Sequence, residues 1–305
     1  MSGLRQQVDG YLAVRRSLGF RMARPEKLLA QFAGYLEQAG AGTVTTEHAL
    51  AWAVLPGGHP SWHAYRLAVA RGFAAWLRTV DPAAEIPPAG LIPARKPRAT
   101  PYLYADDEVV ALMAAAESLR TPLRTATYQT LIGLLAATGM RVGEAIGLDR
   151  GDLDPEQGLL TIRDGKFGKS RQLPLHDSAL RALAGYARLR DSRRGRPPTP
   201  AFFTSVTGTR LIYQNVHFTF HGLTRAAGLH PRSAACRPRI HDLRHAFAVA
   251  TLARWYADGG DVAARLPLLS TWLGHADPAG TYWYLTGTPE LLALAAARLE
   301  PGAAR

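Results

Sequence analysis

The sequence predicts a mainly α-helical chain in two units: an N-terminal helical unit, then a mixed α/β unit with a small antiparallel sheet. Three observations predict it. Apolar residues recur at helical intervals through roughly the first 90 positions. A proline-rich basic stretch then interrupts the pattern. Near residue 160 the period changes once, from helical to alternating, before helix resumes. A length of 305 residues suits about two domains. The expected boundaries are 1–90, a linker at 91–100, and 101–305.

The elements follow in order. "LRQQVDGYLAVRRSL" spaces Leu4, Val8, Leu12 and Leu18 on one helical face. "RPEKLLAQFAGYLEQAG" opens with Pro25 in a first turn and stops at Gly40. "TTEHALAWAV" starts with a Thr45 cap followed by an acid. "SWHAYRLAVARGFAAWLRTV" is a longer amphipathic helix ending before Asp81-Pro82. The segment "IPPAGLIPARKPRATPYLY" carries repeated prolines with Arg95, Lys96 and Arg98, and proline keeps it extended. Helices are then expected at 105–119 and 123–137. Strands are expected at 159–163 and 171–175 around a Gly/Lys turn, and a helix at 178–189. A polar break follows at "RDSRRGRPPTP", and Phe202-Phe203 is a candidate short strand. The remainder reads as helices at 216–227, 240–257, 266–273 and 289–299.

Composition narrows the function. No run of about 18 apolar residues is present, so no membrane span is expected. The N-terminus lacks the apolar core of a secretory signal. The single cysteine, Cys236, rules out an internal disulfide framework and disfavours a cysteine-rich zinc site. A bacterial cytoplasmic, nucleoid-associated protein is expected. Net charge is +12. Residues 1–100 carry 12 Lys/Arg against 6 Asp/Glu, and residues 101–305 carry 24 against 18, so the excess is +6 in each part. A polyanionic partner accounts for that spread. A coding bias toward arginine is the plain alternative, since 32 Arg face 4 Lys.

Four segments hold candidate chemistry. In "AATGMRVGEAIGLDRGDLD", Arg141 sits where one helix ends and another begins, an unfavourable end of the macrodipole for a cation. A planar guanidinium there suits a phosphate, with Glu144 three residues on to fix it. Taken alone, an ordinary surface pair is the favoured account. In "DGKFGKSR", Lys166 and Lys169 occupy a turn between strands, where lysine can donate a proton as arginine cannot. A solvated hairpin turn is the simpler account. In "RPRIHDLRHAFAVATLA", His241 and Arg244 share a helix face and make a phosphate clamp. His241 and His245 have the spacing of a zinc pair, but Asp242 replaces the glutamate of that motif and no third ligand is evident. In "WLGHADPAGTYWYL", His275 precedes two tyrosines, Tyr282 and Tyr284. A phenol needs cationic surroundings or a base to act as a nucleophile near neutral pH. By itself the aromatic run reads as packing.

Taken together the segments resemble the tyrosine recombinase family, also called phage integrases. The order agrees: "TGxRxxE", a lysine turn "GKxxKxR", "HxLRH", "LGH", then a tyrosine nine residues after that histidine. The match runs from about Pro101 to the end, while the N-terminal unit agrees in layout with the family's core-binding domain. The resemblance implies a helical core-binding domain followed by a tyrosine-recombinase catalytic domain. Residue by residue it implies a catalytic set of Arg141, Lys166, His241, Arg244, His275 and Tyr284. It implies attack by Tyr284 on a DNA phosphodiester to leave a 3′-phosphotyrosine and a free 5′-hydroxyl. The arginines stabilise the transition state and Lys166 protonates the leaving oxygen. His241 accepts the tyrosine proton and His275 positions the phosphate. No cofactor or metal is implied. The implied partner is double-stranded DNA with specific recombination sites, bound by a homo-tetramer or a hetero-tetramer with a related recombinase. Arg95, Lys96, Arg98, Lys169 and Arg171 are the expected DNA contacts. Phe167 departs from the family, where a smaller residue often follows the first lysine, and so does Pro-Ala-Gly at 278–280. Asp152 fits a structural acid a few residues beyond the "GL" step.

Three other readings compete. A type IB topoisomerase-like relaxase would use the same residues without strand exchange. A DNA-binding protein without catalysis would need no intact set. A zinc hydrolase, from a third class, would bind stoichiometric metal. The target sequence and the biological outcome (integration, excision, transposition or resolution) are not written in the chain.

Overall fold

The computed structural model describes residues 3–93, 99–163, 170–194, 199–275 and 280–281. The chain divides into two compact units, Met1–Arg98 and Ala99–Arg305. The expected helix at 289–299, and Arg95, Lys96, Arg98, Lys166, Lys169 and Tyr284, lie outside the described residues.

The first unit holds four helices: α1 (Gly3–Ser17), α2 (Ala23–Gln38), α3 (Thr46–Val54) and α4 (Pro60–Leu77). Leu4, Val8 and Leu12 of α1 are buried, as their spacing predicts. Leu18 is not, because α1 has ended and the chain turns at Gly19. The Thr45 hydroxyl accepts the His48 N–H at 3.1 Å, satisfying one free amide of α3. Pro60 opens α4, where its missing N–H costs nothing. Leu29, Phe32 and Leu36 of α2 meet Trp52 of α3 and Phe73 and Leu77 of α4 in one core. Among the described residues of this unit one charge is inside. Arg66 lies 3.8 Å over the Trp52 ring and donates to the Trp52 carbonyl at 2.8 Å, joining α3 to α4.

The second unit places α5 (Asp106–Ala115) and a short 3-10 turn (Ala116–Ser118) before α6 (Pro122–Thr138) and α7 (Val142–Gly147). Three short strands follow, β1 (Leu153–Asp154), β2 (Leu159–Ile162) and β3 (Arg171–Pro174), then α8 (Asp177–Arg194), α9 (Tyr213–Ala226), α10 (Asp242–Ala257) and α11 (Val262–Leu273). The strands form an antiparallel sheet in the order β1-β2-β3, with Leu160 opposite Leu173 and Ile162 opposite Arg171. Leu160, Ile162 and Leu173 turn inward onto the core of Leu131, Ile132, Leu135 and Phe203. α6 is the central helix, packed against α5, α8 and α10.

Four expectations shift. β1 was not anticipated, because two residues carry no period. Phe202-Phe203 are buried but form no strand; the neighbouring Ala201 and Thr204 make only isolated bridges, to Asp149 and Arg210. α8 runs past the expected stop at Leu189 because Arg190, although polar in sequence, is buried and donates to the Phe202 carbonyl at 2.6 Å. α11 begins four residues early and keeps Pro267 inside it, since Asp261 caps the Ala264 N–H at 3.0 Å. Among the described residues no helix is long and apolar enough to cross a membrane.

Candidate active site

The site begins where α6 stops. Gly139 takes a left-handed conformation, φ 62°, and a Cβ there would lie 2.4 Å from the Phe247 ring. Only glycine meets both demands. A Gly139→Ala chain is expected to lose about 1–2 kcal/mol to the left-handed backbone alone, and more through displacement of Phe247. Thermal unfolding measures it, and a wild-type midpoint would contradict the geometry.

Two residues on, Arg141 caps α7. Its own N–H donates to Glu144 Oε2 at 2.9 Å, and its guanidinium donates to Glu144 Oε1 at 2.8 Å and to the Gly274 carbonyl at 3.3 Å. The unfavourable cation at a helix start is thus offset by a carboxylate in the first turn. Glu144 is held from the other side by Arg171, whose amines reach Oε1 at 3.2 Å and Oε2 at 2.8 Å. Burial pushes the Glu144 carboxyl up, but the hydrogen bonds from Arg171 and Arg141 and the Arg171 charge outweigh it and hold it below its ordinary value.

Arg244, on the first turn of α10, is 2% exposed. It donates to the Gly139 carbonyl at 3.0 Å, to the Leu273 carbonyl at 2.8 Å and to His275 Nε2 at 2.8 Å. One guanidinium therefore joins the end of α6, the start of α10 and the end of α11. A guanidinium only donates, so His275 Nε2 accepts, and Nδ1 carries the proton that it gives to Thr281 Oγ1 at 2.7 Å. Thr281 is buried and stands three residues before Tyr284. Gly274, in a left-handed conformation, lets the chain turn from α11 into His275.

His241 precedes α10 and keeps an open face. The surrounding protein and then the Arg244 charge push its pKa below the ordinary histidine value, against Asp242. His245, one turn on, is pushed down to about 4, first by burial and then by His241. Their rings meet edge to face at 5.3 Å. Among the described residues no three His, Cys, Asp or Glu side chains are grouped to hold a metal ion. Asp242 is fully buried and grips Arg239 through both oxygens, at 2.8 and 2.9 Å, while accepting the Tyr102 N–H at 3.2 Å. That fastens the entry of the second unit to the turn bearing His241 and Arg244.

The structure thus gathers Arg141, Arg244 and His275 in one hydrogen-bonded cluster, and His241 lies close enough to feel both arginine charges. Arg171, read as a DNA contact, points inward onto Glu144 and the Trp272 carbonyl, with a side chain 10% exposed. Asp152, by contrast, is buried as expected of a structural acid, accepting the Asp149 N–H at 2.8 Å and Arg163 at 2.5 Å.

Residues 103–290 match the Phage integrase family. The chain belongs to that family, the tyrosine recombinases. Its activity is site-specific DNA recombination. This recombinase is 44% identical over 307 residues to the y4rB protein of Sinorhizobium fredii, whose name places it among integrases/recombinases, and 98% of each chain is covered. It is 32% identical to tyrosine recombinase XerC of Azotobacter vinelandii, over 74% of this chain and 70% of that one. In fold the recombinase is similar to XerH bound to a palindromic difH substrate, a post-cleavage complex, with TM-score 0.62 and 19% identity over 90% of this chain and 78% of that one. It is also similar to a lambda integrase tetramer bound to a Holliday junction, with TM-score 0.57 and 20% identity over 92% and 76%.

Proposed function

We propose that this recombinase cuts and rejoins duplex DNA through a 3′-phosphotyrosine at Tyr284, with Arg141, Lys166, His241, Arg244 and His275 completing the catalytic set. The observation that carries the reading is the junction at Arg244, where two arginines and a histidine from three separate chain segments meet beside the segment leading to Tyr284. Two fixed guanidinium groups suit the non-bridging oxygens of a phosphodiester, whose charge grows in the transition state. Because protein crowding keeps His241 below its ordinary value, the ring is neutral at pH 7 and free to accept the phenolic proton. Lys166 then gives a proton to the departing 5′-oxygen. Attack by the 5′-hydroxyl of a second strand reverses the step: the new phosphodiester forms as the phosphotyrosine bond breaks, and the phenol recovers its proton.

The substrate is double-stranded DNA with specific sites, at which four subunits synapse two duplexes. The basic excess in both units supports it. So do the relatives seen on difH DNA and as a tetramer on a Holliday junction. Four identical chains are the simplest assembly; recombination of paired sites by this chain alone tests it against a mixed tetramer.

The deciding experiment uses nicked duplexes tiled across the gene's own flanks. A nick beside the scissile phosphate lets the 5′-hydroxyl fragment diffuse away and traps the adduct. A denaturing gel is expected to show a covalent protein–DNA band whose peptide maps to Tyr284. Specific binding with no adduct on any duplex would leave a DNA-binding protein without catalysis. Relaxation of a paired-site plasmid without recombinant product would support a relaxase.

A further inference from the structure

We infer that Arg171 is a positioning residue for DNA cleavage, acting through Glu144 on Arg141. The inference rests on the cleavage chemistry proposed above. Arg171 leads β3, two residues after Lys169 in the sequence, and from the sequence it could face either DNA or the protein. It faces the protein. Its two amines grip both oxygens of Glu144, and its Nε–H donates to the Trp272 carbonyl at 2.8 Å. The same two carboxylate oxygens take the Arg141 guanidinium and the Arg141 backbone N–H. Glu144, with a side chain 7% exposed, is therefore a bridge whose plane is set by two forks. Fixing that plane fixes the rotation of Arg141, which retains an exposed edge (24% of its side chain) for a ligand.

Charge argues the same way. Arg141, Arg171 and Glu144 together carry +1. Without Arg171 the remaining pair is neutral, and Arg141 stabilises the charge that grows on the phosphate in the transition state less strongly. The third tie is steric. A Cβ on Gly274 would fall 2.5 Å from an Arg171 amine, so the guanidinium lies directly against the turn that supplies the Gly274 carbonyl to Arg141 and leads into His275. One largely covered side chain thus ties the start of β3 to α7 and to the end of α11.

The test is single-turnover cleavage at saturating concentration of the flank duplex that traps the wild-type adduct, with duplex affinity measured separately by gel shift. Arg171→Ala is expected to slow cleavage about 10–100-fold, the usual cost of losing an orienting partner, with affinity unchanged. In an Arg141→Ala background the same change is expected to have almost no further effect, because both act on one interaction. Glu144→Gln, which preserves volume, is expected to show the same slowing and the same lack of additivity, and Arg171→Lys to recover part of the rate by restoring the charge. Thermal midpoints separate these outcomes from loss of fold: a low midpoint for Arg171→Ala moves the decision to Glu144→Gln and Arg171→Lys. Weakened duplex binding with normal cleavage at saturation would make Arg171 a DNA contact and overturn the inference. A full additional loss in the Arg141→Ala background would overturn it too. A wild-type chain that forms no adduct sinks the cleavage reading, and this inference with it. A wild-type adduct alongside an unaffected Arg171→Ala chain sinks this inference alone.

Discussion

Tyr284→Phe is expected to abolish the covalent adduct, by at least ~10⁴-fold as for loss of an enzymatic nucleophile, while specific duplex binding persists. The change removes one oxygen and keeps the ring, so packing is nearly conserved. The choice of Tyr284 over Tyr282 rests on sequence spacing: nine residues separate it from His275, and on a helical segment residues two apart would point about 200° from each other, so both phenols would face one phosphate only if the segment were irregular. His275 adds a structural fact, since its Nδ1–H reaches Thr281 and joins the polar cluster to the segment three residues before Tyr284. The companion chain, Tyr282→Phe, is expected to form adduct normally. An adduct retained by Tyr284→Phe, or peptide mapping to Tyr282, would overturn the assignment and leave the family unaffected.

Arg244→Ala is expected to lose both activity and stability. Removing one donor aimed at a developing negative charge costs about 10²–10³-fold in rate. The structural loss comes from the interior, where the Gly139 and Leu273 carbonyls lose a donor. Each buried group stranded in this way costs roughly 1–3 kcal/mol. Arg244→Lys separates the two effects. It keeps the charge but has no planar fork to serve three acceptors on separate segments, so it is expected to lose most of the stability and regain little of the rate. Denaturant unfolding and trapped-adduct yield, measured on both variants, check this. Normal adduct formation by Arg244→Ala would remove Arg244 from the catalytic set.

What was legible in the sequence was what is local. Arg141 and Glu144 are three apart, and the first turn of a helix brings them together as the spacing requires. Thr45 opens a helix through its own hydroxyl, and Gly40 follows the end of another in a left-handed conformation. What the sequence leaves out shares a cause, which is a polar residue whose partner lies far along the chain. Arg190 looked like the end of a helix because its acceptor, the Phe202 carbonyl, lies twelve residues away. The inward pairing of Arg171 is not legible because Glu144 is 27 residues back and the Trp272 carbonyl 101 residues on. Asp242 gave no signal at all, since its partners include the Tyr102 amide, 140 residues distant.

The sequence by itself determined the family, the mainly helical plan with one small sheet, and the identity and order of the residues offered for catalysis. Periodicity, end caps and motif spacing are short-range properties, and each is complete within a few residues. Only the tertiary structure decided which cations face inward, which tautomer His275 holds, and that Arg244 is the point where α6, α10 and α11 are tied. Those outcomes depend on desolvation and on hydrogen bonds between remote segments. A guanidinium removed from water must find its acceptors wherever the fold places them.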